Sequence, residues 1–186
     1  MPLSAPDDTI DRLLALAADY RAEQVVLLGD IVHRAVPVPA LREQLASLAS
    51  QLESVTIRWI AGNHDAQLAA LLAECGLDGI TLEREVAIGP HWLTHGDEAG
   101  ALERLGIGRL IMGPEHPAIH LGDGVATSVK CPCFLVSERV LVLPAFSSWA
   151  AGGNVRSGRY MSAIAQGARF THAFAIMGRR ILPVEL

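Results

Sequence analysis

Gly62-Asn63-His64-Asp65 constrains this chain more than any other stretch. It follows the apolar run Val55 to Ile60 and precedes a helical pattern. A strand that enters a tight turn and then a helix delivers polar side chains to the carboxyl edge of a sheet, where open α/β folds place their sites. Asn63 offers a neutral oxygen and His64 an imidazole. Asp65 offers a carboxylate able to orient that imidazole.

The remaining pattern supplies a frame for such a turn. With 186 residues, 51% hydrophobic and 19% charged, the chain is globular. Its length fits a single domain over 1–186, burying roughly 70% of its unfolded surface. Asp7, Asp8 and Thr9 suit the N-cap and first turn of a helix with Ile10, Leu13, Leu14 and Ala17 on one face. Val25 to Leu28 is apolar without alternation, which predicts a parallel strand buried on both faces and ending in Gly29-Asp30. Leu41, Leu45, Leu48 and Leu52 predict an amphipathic helix over 40–53. Val55 to Ala61 is the second strand. Leu68, Leu71 and Leu72 mark a third helix that stops near Gly76.

From Ile80 the texture becomes strand-rich. Val86 to Thr94 reads as strand with Gly89-Pro90 as an internal turn, followed by His95-Gly96-Asp97-Glu98. A short helix over Ala99 to Leu105 is expected, then a strand over Leu110 to Met112 ending in Gly113-Pro114-Glu115-His116. Phe134 to Val136, Val140 to Leu143 and Thr171 to Ile176 are further strands, and Gly152-Gly153-Asn154 is a turn signal.

Several function classes recede. A net charge of −5 gives no general attraction to nucleic acid or anionic membrane, and no basic run marks a binder of long DNA. No apolar stretch reaches the ~18 residues that span a bilayer. The N-terminus lacks a signal-peptide pattern, so a cytoplasmic protein without membrane contact is expected. Cys75, Cys131 and Cys133 form no disulfide framework, and Cys131-Pro132-Cys133 reads as small residues entering a strand rather than a zinc half-site.

Four strand ends thus deliver polar groups: Asp30, Asn63-His64-Asp65, His95 and Glu115-His116. A lone Gly-Asp is most often a turn, and a lone His-Gly usually nothing. Four in series suit divalent metals, which take carboxylate, amide oxygen and neutral imidazole together. Two ions ~4 Å apart could clamp the oxygens of a phosphate ester. His64, oriented by Asp65, could donate a proton to the leaving oxygen.

The order Gly-Asp, Gly-Asn-His-Asp, His-Gly, Gly-x-x-His resembles the metallophosphoesterase superfamily of calcineurin-like phosphoesterases. Gly113 to Ile119, Pro132 to Leu135, Leu143-Pro144-Ala145-Phe146 and Gly152-Gly153-Asn154 are similar to its DNA ligase-associated branch, which is linked with DNA repair. The resemblance runs from about Leu3 to the C-terminus. It implies an α/β fold, a four-layer α/β/β/α sandwich with mixed sheets. It implies a hydrolase of phosphodiester or phosphomonoester bonds that uses metal-activated hydroxide, with one or two ions of manganese, zinc or iron as cofactor. The substrate would be a phosphate ester, with nucleic acid or a nucleotide among the candidates. Asp30 would bridge two metals, Asn63 and His95 would hold the second, and His116 the first. His64 would be the phosphate-contacting acid, and His33 would lie at the cleft rim or be an ordinary loop histidine.

Two departures follow from the same comparison. The family opens with a strand ending in Asp-x-His, and no such motif occurs here; the first histidine is His33. The first strand is therefore expected to be missing, leaving the Val25 to Leu28 strand with an open edge that a second copy or the N-terminal segment covers. A chain that begins late relative to its natural start is the other reading. Pro114 also stands where the family has a histidine, and it has no donor atom. The first metal keeps two of its four family ligands and the second three. Glu115, Asp97 and His120 are candidate substitutes. The competing expectation is a degenerate, inactive member that serves as a binding or structural subunit.

Overall fold

The structure is a computed structural model that describes residues 8–32, 39–52, 54–77, 79–97, 108–122, 125–148, 150 and 152–186. His33, Asp7 and the helix expected over Ala99 to Leu105 lie outside the described residues. The chain divides into two compact units, Met1–Glu83 with Phe146–Ser148, and Arg84–Ala145 with Trp149–Leu186.

The first unit alternates helix and strand: α1 (Thr9–Asp19), β1 (Gln24–Leu28), α2 (Pro39–Gln51), β2 (Thr56–Ile60), α3 (Leu68–Glu74) and β3 (Leu82–Glu83). The strands form a parallel sheet in the order β1-β2-β3. The leucines that set the helical period are the ones that pack. Leu45, Leu48, Leu52, Leu68, Leu71 and Leu72 are buried with Trp59, and Ile10, Leu13 and Leu14 lean on the same cluster. At 25 cal/mol per Å², each such side chain contributes about 1.5–3 kcal/mol of burial. Pro39 opens α2, where a missing N–H costs nothing. Gly76, at φ 72, closes α3: the Leu77 N–H donates to the Leu72 carbonyl at 2.9 Å and the Gly76 N–H to the Ala73 carbonyl at 3.0 Å.

Two expectations change here. Asp8 stands at the N-cap of α1, but its side chain makes no cap hydrogen bond. It lies instead 3.8 Å from Arg12, one turn along. The parallel strand β1 is half-buried along Val25–Leu28 rather than covered on both faces, and among the described residues it ends its sheet.

The second unit holds β4 (Glu85–Ile88), β5 (His91–Thr94), β6 (Arg109–Met112), β7 (Pro117–Gly122), β8 (Ser128–Val136), β9 (Val140–Val142), β10 (Gly153–Asn154), α4 (Ala163–Gly167), β11 (His172–Met177) and β12 (Arg180–Glu185). They build one mixed sheet in the order β10-β7-β8-β9-β6-β5-β4, with β11 joined to β8 and β12 to β11. The hairpin at Gly89-Pro90 forms as expected, with Ile88 opposite His91. Strand β8 is longer than its apolar tail implies. Its first half pairs with β7 and its second half with β9 and β11. Leu110, Met112, Ile119, Cys133, Leu135 and Val142 are among its fully buried core residues. Gly152-Gly153-Asn154, expected as a turn, contributes a two-residue strand parallel to the start of β7.

All three cysteines are free thiols, and Cys131 and Cys133 are buried on β8. Burial, with Cys131 as a smaller influence, pushes the Cys133 thiol up to about 12. Cys133 is fully buried and packs in the core of this unit.

Candidate metal and phosphate site

In the first unit, two neighbouring parallel strands end together. Strand β1 runs into Gly29 and Asp30, both in the left-handed region at φ 79 and 50. Strand β2 runs through Ala61 into Gly62-Asn63-His64-Asp65. The two ends are tied reciprocally by carboxylates. The His64 N–H donates to Asp30 Oδ1 at 3.1 Å. Asp65 Oδ2 accepts from the Gly62 N–H at 2.8 Å and the Ile31 N–H at 3.2 Å, and its Oδ1 from the Val32 N–H at 3.1 Å.

Asp65, expected to orient the His64 imidazole, thus turns both oxygens on backbone N–H groups. It is 3% exposed, and a buried carboxylate is tolerated only with such partners. Its described contacts fix the shape of both loops. Asn63 and His64 are exposed beside it, and Asp30 is half-buried. Gly62 is required by the close approach: a Cβ there would lie 2.4 Å from Asp30 Oδ1 and 2.5 Å from the Asp30 nitrogen.

In the second unit, β5 and β6 are parallel and their carboxyl ends carry the other expected ligands. His95 follows β5, is 1% exposed, and its carbonyl accepts from the Gly113 N–H at 3.1 Å. His116 follows β6 at φ 43 and is half-buried. Between them in sequence, Pro114 is buried and offers no donor atom.

The candidate substitutes for Pro114 have other work or other addresses. Glu115 is buried and accepts from the Met161 N–H and the Ser162 N–H, each at 2.7 Å. Sequence reasoning missed that role, because its partners lie 46 and 47 residues away. His120 sits exposed on β7 with Nδ1 3.3 Å from Ser128 Oγ. Asp97 is exposed beyond His95. Tyr160, in the same neighbourhood as Glu115, has its phenol pushed up, first by burial and then by the Glu115 and Cys133 charges.

The donor types fit a divalent ion: a carboxylate and an amide oxygen in the first unit, two imidazoles in the second. Among the described residues, no three His, Cys, Asp or Glu side chains come together as a metal-holding group.

Comparison with known proteins agrees with this local chemistry. Residues 5–112 match the family model of calcineurin-like phosphoesterases. The fold matches the crystal structure of the Pseudomonas putida nuclease MPE with a TM-score of 0.69 and 25% identity, over 95% of this chain and 77% of that one. No curated protein matches the chain by sequence. Among the described residues no helix is long and apolar enough to cross a membrane.

Proposed function

The chain belongs to the calcineurin-like phosphoesterase family, and from that premise we propose that it is a metal-dependent phosphodiesterase acting on nucleic acid or nucleotide esters. The observation that carries this reading is the reciprocal tie between the Asp30 and Asp65 loops. A turn needs no buried carboxylate accepting three N–H groups to hold an exposed Asn-His pair. A site that must present Asn63, His64 and Asp30 in fixed relation does.

In this proposal Asp30, Asn63, His95 and His116 hold the metal, with manganese, zinc or iron as candidates. When bound, the ion would supply Lewis acidity to the phosphoryl oxygens and would acidify water. Asp30 contributes the negative charge of the set. Asn63 adds an amide oxygen, and the two imidazoles must be neutral to ligate. His64, carried next to Asn63, contacts the phosphate and protonates the leaving oxygen. Asp65 keeps the backbone beneath His64 in place. The nuclease neighbour and the resemblance to the ligase-associated branch favour a phosphodiester of nucleic acid and a link with DNA repair.

One observation favours a second reading, a family member that binds phosphate esters without turning them over. Pro114 cannot ligate, and the carboxylate beside it is committed to Met161 and Ser162. Calorimetric titration with manganese separates the two. The first reading expects binding that weakens at least tenfold in Asn63→Ala and in His95→Ala, with hydrolysis of bis(p-nitrophenyl) phosphate. Binding without hydrolysis supports the second reading. Unchanged affinity in both variants overturns the ligand assignment.

Among the described residues β1 ends its sheet and is half-buried, which supports the proposal that a second copy covers it, since apolar edges recruit strands. A monomeric mass in solution light scattering at 100 μM would overturn that part.

A further inference from the structure

We propose that the segment Gly152 to Met161, together with Lys130, forms a polyanion-binding rim attached to the His116 turn and takes the phosphates and one unstacked base of a single-stranded nucleic acid. The inference rests on the phosphoesterase reading and names the substrate surface it requires.

Charge is the first ground. The chain is acidic as a whole, yet from Arg139 to Val184 it contains six arginines and no carboxylate. The 138 residues before that stretch carry nineteen acidic and nine basic side chains. The asymmetry is invisible as a run, because the arginines are dispersed. All six are exposed. An acidic protein with one carboxylate-free basic stretch directs polyanions to that stretch.

Attachment is the second ground. The Gly153 N–H donates to the His116 carbonyl at 3.0 Å, and Gly153-Asn154 pairs with Pro117-Ala118. Lys130 Nζ donates to the Gly152 carbonyl at 2.7 Å, which brings its ammonium to the same strand end. At the far side of the segment, Glu115 holds the Met161 and Ser162 amides. The stretch carrying Arg156 and Arg159 is therefore pinned at both ends to the turn that presents His116. Glu115 spends its oxygens on those amides.

Shape is the third. Beside the segment opens a cavity of about 250 Å³, lined by Arg156, Tyr160, Ala168, Phe170 and the C-terminal Leu186 among others. Tyr160 and Phe170 meet edge to face at 5.2 Å. This is below the ~300–1,000 Å³ of drug-sized pockets, so it suits one flat group and not a large ligand. Aromatic rings and an arginine in one lining are the pairing by which single strands are held: a base against a ring, a phosphate on a cation. A duplex, whose bases are stacked inside, cannot use it.

The test is fluorescence anisotropy of a labelled 15-mer of dT with the full chain in EDTA, where no turnover occurs. Arg156→Ala/Arg159→Ala should weaken binding at least tenfold. It should also lower the slope of log affinity against log salt by about 1.4, at about 0.7 per phosphate contact on a single strand. Arg179→Ala/Arg180→Ala, the same charge change at the β11–β12 turn, should stay within twofold. Equal weakening in both pairs, or none in the first, overturns the rim. A matched duplex binding as tightly as dT overturns its single-strand assignment. Unaltered melting temperatures exclude misfolding as the cause. If the wild type binds dT but never cleaves phosphate esters with manganese, the enzyme reading falls and the rim stands.

Discussion

Gly62 faces Asp30 so closely that no side chain fits between them: an added Cβ would lie 2.4 Å from the Asp30 carboxylate oxygen. Neither end of that contact can yield cheaply. Asp30 sits at φ 50, and its Oδ1 already accepts the His64 N–H. Gly62→Ala should therefore push the Asp30 loop away from the Asn63-His64 turn. Overpacking of this kind costs about 1–3 kcal/mol. The expected result is a lower urea midpoint together with at least a tenfold loss of manganese affinity. A variant with wild-type midpoint and affinity would mean that the loops do not need this spacing.

Asp65 holds the same pair of loops from below. Truncation to Ala strands the Gly62, Ile31 and Val32 N–H groups, the last in a buried place and the first two half-buried. Charge-assisted bonds are worth about 1.5–3 kcal/mol each to remove, and the losses are not additive. Asp65→Ala should cost at least about 2 kcal/mol in urea unfolding. Asp65→Asn, which keeps one acceptor and adds a donor facing N–H groups, should recover only part of it. If Asp65→Asn matches the wild type in stability while phosphate ester turnover falls, the carboxylate serves His64 after all.

Much of this architecture was legible because periodic leucines and continuous apolar runs encode their own elements. Helices α1 to α3 and strands β1, β2 and β6 follow directly from that patterning. Strand β12 did not, because Pro183 in its interior argues against a strand. It is tolerated where Pro183 pairs with Phe174 on a strand that has one neighbour. Strand β7 was hidden behind the Gly113 to Pro117 motif that runs into its first residue. For the site, the donor side chains could be named, since ligand chemistry is written in residue types. The supporting roles of Asp65 and Glu115 could not. A carboxylate that binds remote backbone N–H groups leaves no mark on the residues it contacts, for every residue but proline has that N–H.

Thiol chemistry gives an independent check of the second unit's core. Cys133 is held up to about 12 by burial, and Cys131 is buried with it on β8. Cys75, past the end of α3, is partly exposed. At pH 8 the native chain should release about one equivalent with Ellman's reagent, and three after denaturation. Rapid reaction of more than one thiol in the native state would show that β8 is not the packed centre of its sheet.

Strand β3 is only two residues long, and a charge pair reinforces its hold on β2. Arg58 Nε and Nη2 donate to the two carboxylate oxygens of Glu83. The guanidinium keeps the Glu83 carboxyl below its ordinary 4.5, mainly through that hydrogen bond. A carboxyl with a depressed folded value binds its proton more readily when unfolded. Its contribution to stability is therefore complete above 4.5 and fades as pH falls below it. Glu83→Gln should lower the melting temperature at pH 7, and the gap to wild type should narrow between pH 4.5 and 3. Because both side chains are partly exposed, 1 M salt should shrink the gap at pH 7 as well. A gap that persists unchanged at pH 3 would assign the effect to packing of the Glu83 stem instead of its charge.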